Sequence, residues 1–207
     1  SGKSAHAERL ASDSARPVTY IATARVADDE FAARVALHRS RRPSHWLLVE
    51  APLDLAGAVA AADAPGQCVL IDCLTLWLAN LLCPPDGDAA GAVAPGAVAP
   101  GAVAPGCDVP GADVPHADVP RVDARRTDAP RADYAARIDA FDAALAAAAG
   151  KVIVVTNEIG LGVVPLGAAT RLYVDELGRL NQRIAARAAG VTMMVAGLPL
   201  ALKTASR

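Results

Sequence analysis

The sequence has no excess of either charge: 20 Lys and Arg stand against 22 Asp and Glu, for a net charge of -2. That removes the electrostatic case for nucleic acid or an anionic membrane surface as a general partner. Long apolar runs are missing too. The longest, Val69 to Cys83, is broken by Asp72 and is too short to cross a bilayer. Ser1-Gly2-Lys3-Ser4 has neither the apolar stretch nor the cleavage pattern of a secretion signal. Cysteine is scarce. Cys68, Cys73, Cys83 and Cys107 form no CxxC pair and no metal-type spacing, so reduced thiols in a cytoplasmic protein are expected. Aromatic residues make up only 3% of a chain that is 53% hydrophobic. A length of 207 residues suggests one domain.

Proline is plentiful, and it is concentrated. Nine of the 15 prolines fall between Pro84 and Pro130, in a five-residue repeat that begins Gly91-Ala92-Val93-Ala94-Pro95 and decays after Pro110. Proline at every fifth position removes backbone donors and breaks any helix or ladder. Five residues are also too few for a solenoid unit. Residues 84–131 are therefore expected to be a disordered, partly polyproline-like insertion. Cys107 and His116 lie inside it and are poor candidates for chemistry. Residues 1–83 and 132–207 are then the two parts of one α/β domain, roughly 160 residues with a real core.

The body alternates between helical and strand patterns. Helices are expected over 4–14, 28–39, 53–62, 74–82, 132–149 and 168–189. Strands are expected over 18–23, 46–49, 68–71, 152–155 and 191–195, with another at 198–203. Continuous apolar strands separated by helices predict a mainly parallel sheet covered on both faces. Ligands of such sheets bind at the carboxyl ends of the strands.

Three groups of residues carry candidate chemistry. Gly2-Lys3-Ser4 before a helix is the back half of the phosphate loop G-x-x-x-x-G-K-[ST]. Backbone N–H groups would hold phosphate oxygens, Lys3 would offset their charge, and the Ser4 hydroxyl would ligate Mg²⁺. The front of the motif and its strand do not stand in these residues, so a truncated reading of a longer chain is expected. As written, the chain would bind nucleotide weakly and fold marginally. A short G-K-S match also arises by accident, and a flexible charged start is the plain alternative. Asp72 follows Val69-Leu70-Ile71 where a parallel strand leaves the sheet. It suits either a Mg²⁺ shell or the cap of the next helix. His38 stands beside Arg39, Ser40, Arg41 and Arg42, with His45 nearby. A histidine in a field of arginines can attack phosphorus, but the same run reads as a solvated basic helix end.

Several segments together resemble the bifunctional adenosylcobinamide kinase / adenosylcobinamide-phosphate guanylyltransferase family of cobalamin biosynthesis. The matching stretches are Ser1 to Glu8, Tyr20 to Ala24, Asp28 to Glu30, His38-Arg39 through Arg42-Pro43 with Trp46, and Glu50 with Pro52 to Leu55. They continue through Asp72 to Leu82, Val155 to Gly162 with Val164-Pro165, Gly178 to Arg183, and Gly197 to Leu200. Each piece is modest; their order and spacing over nearly the whole body make the resemblance specific.

The resemblance implies a phosphate-loop NTPase fold of RecA-like type and two transfers. The γ-phosphoryl of ATP or GTP passes to the aminopropanol hydroxyl of adenosylcobinamide. A histidine then takes GMP from GTP and hands it to adenosylcobinamide phosphate, giving adenosylcobinamide-GDP. By position, the GMP-carrying histidine corresponds to His38, not His45. Ser1, Gly2, Lys3, Ser4, Ala22, Thr23, Ala24, Arg39, Ser40, Arg41, Arg42, Glu50 and Asp72 fall at nucleotide-binding positions. Mg²⁺ would sit at Ser4 and Asp72. The resemblance implies a homo-oligomer as well, and suggests a trimer. Thr156-Asn157-Glu158 and Val164-Pro165 are expected to shape the corrinoid or nucleotide cleft, with a tight connection needing Gly160 and Gly162 as the plain alternative; for Gly178 and Asn181, packing or a subunit contact serves as well as catalysis. From the residues alone, two other classes stay open. One is a RecA-like phosphate-loop ATPase acting on a macromolecule, with no role for His38. The other is a non-catalytic nucleotide-binding subunit.

Overall fold

The computed structural model describes residues 1–25, 43–82 and 128–204, with side chains from 133 onward in the last segment. Eleven elements follow in order among them. They are α1 (Lys3–Ser12), β1 (Val18–Ala22), β2 (Leu47–Glu50), α2 (Leu55–Ala62), β3 (Cys68–Asp72) and α3 (Leu74–Leu82). After these come α4 (Asp128–Ala147), β4 (Lys151–Val155), α5 (Ala168–Arg187), β5 (Val191–Val195) and β6 (Leu198–Lys203). The helix expected over 28–39 and nearly all of the 84–131 repeat lie outside the described residues. Helix α4 starts at Asp128, four residues before the expected boundary at 132, carrying Pro130 in its first turn, where no N–H is needed.

Strands β1 to β4 form one parallel sheet in the order β2-β1-β3-β4. The register follows from the apolar runs: Val18 pairs with Cys68, Tyr20 with Leu70, and Cys68 with Lys151. Side chains alternate between two faces. Ile21, Val69, Ile71, Val152 and Val154 enter a large core with α2, α3, α4 and α5, centred on the fully buried Trp77 and Phe141. Those two rings lie 5.1 Å apart, tilted by 60°. Helix α4 reaches this core with Tyr134, Ile138 and Phe141, and α5 with Leu177 and Leu180, at helical spacing. Val18, Tyr20, Cys68, Leu70 and Val155 face the other way, against Ala7 and Ala11 of α1. Helices thus cover both faces, as the sequence pattern predicts.

The last two strands depart from that pattern. β5 and β6 pair antiparallel with each other in a separate two-stranded sheet. The reason is local. Only Ala196 and Gly197 separate them, both with positive φ (51° and 82°), and a two-residue link of that hand makes a hairpin. A second corner is fixed by close approach. A Cβ on Gly150 would stand 2.8 Å from the carbonyl oxygen of Ala64, so glycine alone fits between α4 and β4. The Asp63 carboxylate closes that corner by accepting from the N–H groups of Ala149 (2.7 Å) and Gly150 (2.8 Å).

Candidate nucleotide site

Helix α1 begins without a side-chain cap. Gly2 precedes it in the left-handed region, with φ 88° and ψ 11°. A helix start of this kind leaves its first N–H groups available to an anion, and the helix dipole favours one there. No acidic residue stands in that first turn to compete. Lys3 donates from Nζ to Ser1 Oγ at 3.0 Å, which folds the ammonium back over the same end. The hairpin turn lies against it: Gly197 N–H donates to the Ser1 carbonyl at 3.2 Å. Ser1 and Gly2 are exposed, and Lys3 and Ser4 are half-buried.

The carboxyl ends of three strands meet beside this face. Register pairs Ala22 with Glu50 on one side and with Asp72 on the other. Residues paired across parallel strands share a face. Glu50, Ala22 and Asp72 therefore form one row, on the face that packs α1. The Asp72 carboxylate does not cap α3: Oδ2 accepts from the Tyr20 hydroxyl at 2.7 Å, and Cys73 is the residue preceding that helix. Among the described residues its partner is thus a strand side chain rather than the start of the next helix.

Thr23 sits differently. It is fully buried. Its hydroxyl donates to the Cys73 carbonyl at 2.7 Å and accepts from the Cys73 N–H at 2.9 Å. Asn80 of α3 donates from Nδ2 to the carbonyls of Thr23 (2.8 Å) and Pro52 (3.0 Å). The ends of β1, β2 and β3 are thereby tied together, and the Thr23 side chain is spent inside the tie. Burial raises the thiol pKa of Cys73, and the Asp72 charge adds to the effect; Cys68 is raised by burial first. Both thiols stay protonated at neutral pH, in keeping with structural, reduced cysteines.

A second tie follows β4. Thr156 Oγ1 donates to Asn181 Oδ1 at 2.7 Å, and Asn181 Nδ2 donates to the Asn157 carbonyl at 2.9 Å. The Asn157 side-chain amide donates to Thr75 Oγ1 at 2.8 Å, and Tyr173 donates to the Thr75 carbonyl at 2.9 Å. Asn181 thus anchors the 156–158 loop. The sequence held a signal for both ties: an asparagine within an apolar helical pattern needs partners for its amide. Tyr20 gave none, since it reads as one more buried strand residue.

His38, Arg39, Ser40, Arg41 and Arg42 lie outside the described residues. His45 is exposed, just before β2. Among the described residues no group of three His, Cys, Asp or Glu is placed to hold a metal ion. Mg²⁺ shared with phosphates asks for less, one or two hard oxygen donors. The Ser4 hydroxyl and the Asp72 carboxylate, both on the α1 side of the sheet, are donors of that chemistry.

Residues 1–202 match the family described as cobinamide kinase / cobinamide phosphate guanyltransferase. The chain belongs to this family. A bifunctional adenosylcobalamin biosynthesis protein CobP of Pseudomonas aeruginosa is 42% identical over 203 residues, covering 98% of this chain and 92% of that protein. The bifunctional adenosylcobalamin biosynthesis proteins CobU of Escherichia coli and Salmonella typhimurium are 35% and 33% identical, over 98% of this chain and 94% of theirs. Membership in the cobinamide kinase / guanyltransferase family fits the α/β fold of phosphate-loop type, and makes this a transferase of cobalamin biosynthesis that uses nucleoside triphosphates. No helix among the described residues is long and apolar enough to cross a membrane.

Proposed function

We propose that this protein phosphorylates adenosylcobinamide and then guanylylates the product through a GMP-histidine intermediate on His38. The observation that supports the reading is the row Glu50–Ala22–Asp72 at the carboxyl edge, on the face that carries the uncapped Gly2-Lys3-Ser4 start of α1. In the first transfer the helix start and Lys3 hold the triphosphate, while the acceptor hydroxyl attacks the γ-phosphorus and the bond to the β-phosphate oxygen breaks. In the second, the His38 imidazole attacks the α-phosphorus of GTP and pyrophosphate leaves. A phosphate oxygen of adenosylcobinamide phosphate then attacks the same phosphorus, the P–N bond breaks, and adenosylcobinamide-GDP forms. Arg39, Arg41 and Arg42, with Ser40, bind the phosphates beside His38. Ala22 and Ala24 line the nucleotide through backbone groups, Thr23 holds their frame, and Glu50 binds its polar edge. Mg²⁺ held by Ser4 and Asp72 would supply charge neutralisation on the phosphates. The protein works in the cytoplasm as a homo-oligomer, a trimer by family resemblance, and small molecules rather than nucleic acid or membrane are its partners.

The test is direct. The protein is incubated with GTP labelled at the α-phosphate and then denatured at neutral and acid pH. Acid-labile label on the protein, lost in His38→Ala, is expected. Hydrolysis of nucleotide with no protein-bound label points instead to the macromolecule-directed ATPase.

A further inference from the structure

Tyr20 has no part in the two transfers as described, yet it is the hydrogen-bond donor seen on Asp72. The residue is 2% exposed. Its ring lies in the small core beneath α1, with Ala7, Ala11, Val18, Leu70 and Val155. Because Tyr20 lies two residues before Ala22, which pairs with Asp72, the two side chains share a face on adjacent strands at a diagonal position. That diagonal is within reach of an aromatic side chain. The phenol spans it and donates to Oδ2 at 2.7 Å. A hydrogen bond of that length to a carboxylate, from a ring that burial prevents from turning away, holds the group in one orientation. Oδ1 has no donor among the described residues, so it is the oxygen left to a ligand at the carboxyl edge.

We propose that Tyr20 is a positioning residue: its hydroxyl engages one oxygen of Asp72 so that the other is presented, already oriented, to the metal–triphosphate. The inference rests on the reading of Asp72 as part of the Mg²⁺–nucleotide site. Its structural basis is the buried ring under the helix that carries Lys3 and Ser4. Preorganisation of this kind acts on the metal-dependent part of nucleotide affinity and leaves the metal-free part alone.

Tyr20→Phe tests it, since the ring and its packing are kept and one hydroxyl is removed. GTP affinity is measured by calorimetry with Mg²⁺ and again in EDTA, and the ratio gives the gain due to metal. The gain is expected to fall about fivefold to tenfold in Tyr20→Phe, with EDTA affinity unchanged. Asp72→Asn should abolish most of the gain, and adding Tyr20→Phe to it should cost nothing further. A gain unchanged in Tyr20→Phe but lost in Asp72→Asn overturns the role of Tyr20 and leaves Asp72 standing. A gain intact in Asp72→Asn removes the Asp72 reading, and this proposal with it. An equal loss with Mg²⁺ and in EDTA overturns it as well, because that marks a general packing role.

Discussion

Replacing Thr23 by valine keeps the shape of a fully buried side chain and deletes one hydroxyl. In the native protein that hydroxyl both donates to and accepts from the backbone of Cys73, joining the end of β1 to the end of β3. The Cys73 carbonyl also accepts from the Trp77 N–H at 3.2 Å, so it keeps a partner in the variant. The Cys73 N–H does not, and an orphaned buried donor costs about 1–3 kcal/mol. The hydroxyl's own bond to the carbonyl adds about 1 kcal/mol, and the net expectation is about 2–3 kcal/mol of destabilisation. Urea unfolding followed by tryptophan fluorescence measures it. Thr23→Ser retains both bonds and loses only a methyl group, at about 1 kcal/mol. Valine should therefore be the worse of the two, although it fills the space better. A Thr23→Val protein within 0.5 kcal/mol of the original, or a serine variant less stable than the valine one, would refute the tie as drawn.

Two other outcomes follow from features away from the strand ends. Arg187 first, then Arg183, hold the Asp142 carboxyl down to about 2 from an ordinary 3.8. A depressed carboxyl contributes stability that is present above its unfolded value and lost as pH falls toward the folded one. The stability gap between the native protein and Asp142→Asn should thus shrink between pH 4 and pH 2. Both guanidinium groups are 39% exposed, so screening keeps the contribution small; a gap that stays constant across that window would count against the ion pair. Ala196 stands at φ 51° in a turn that favours Asn-Gly. Ala196→Asn should gain about 0.5–1 kcal/mol in urea unfolding, and a loss would show that the hairpin turn differs from the one described.

Much of this fold was legible because its strands are short, apolar and separated by helices with clear ends. The pattern at Val18, Cys68 and Val191 placed each strand to within a residue or two. Pairing partners were not legible. Nothing in Leu198–Lys203 distinguishes a parallel strand from the return arm of a hairpin except the brevity of the Ala196-Gly197 link. At the site, Gly2-Lys3-Ser4 and Asp72 could be read from local pattern, since their chemistry is tied to position relative to one helix or strand. Tyr20 and Asn181 could not be assigned roles, because their roles depend on residues 52 and 25 positions away brought together by sheet register and helix packing.

Among the described residues the sheet is insulated unequally. One side lies under a thick blanket of four helices filled by bulky side chains, whereas the other carries α1, which rests on two alanines. Enlarging Ala7 or Ala11 would lift that helix and, with it, the lysine and serine at its leading end. Damage on the thick side should register as lost folded protein; damage on the thin side should leave a folded protein that handles nucleotide badly. A mutational survey read by side of sheet, rather than by distance from any one residue, would separate the two.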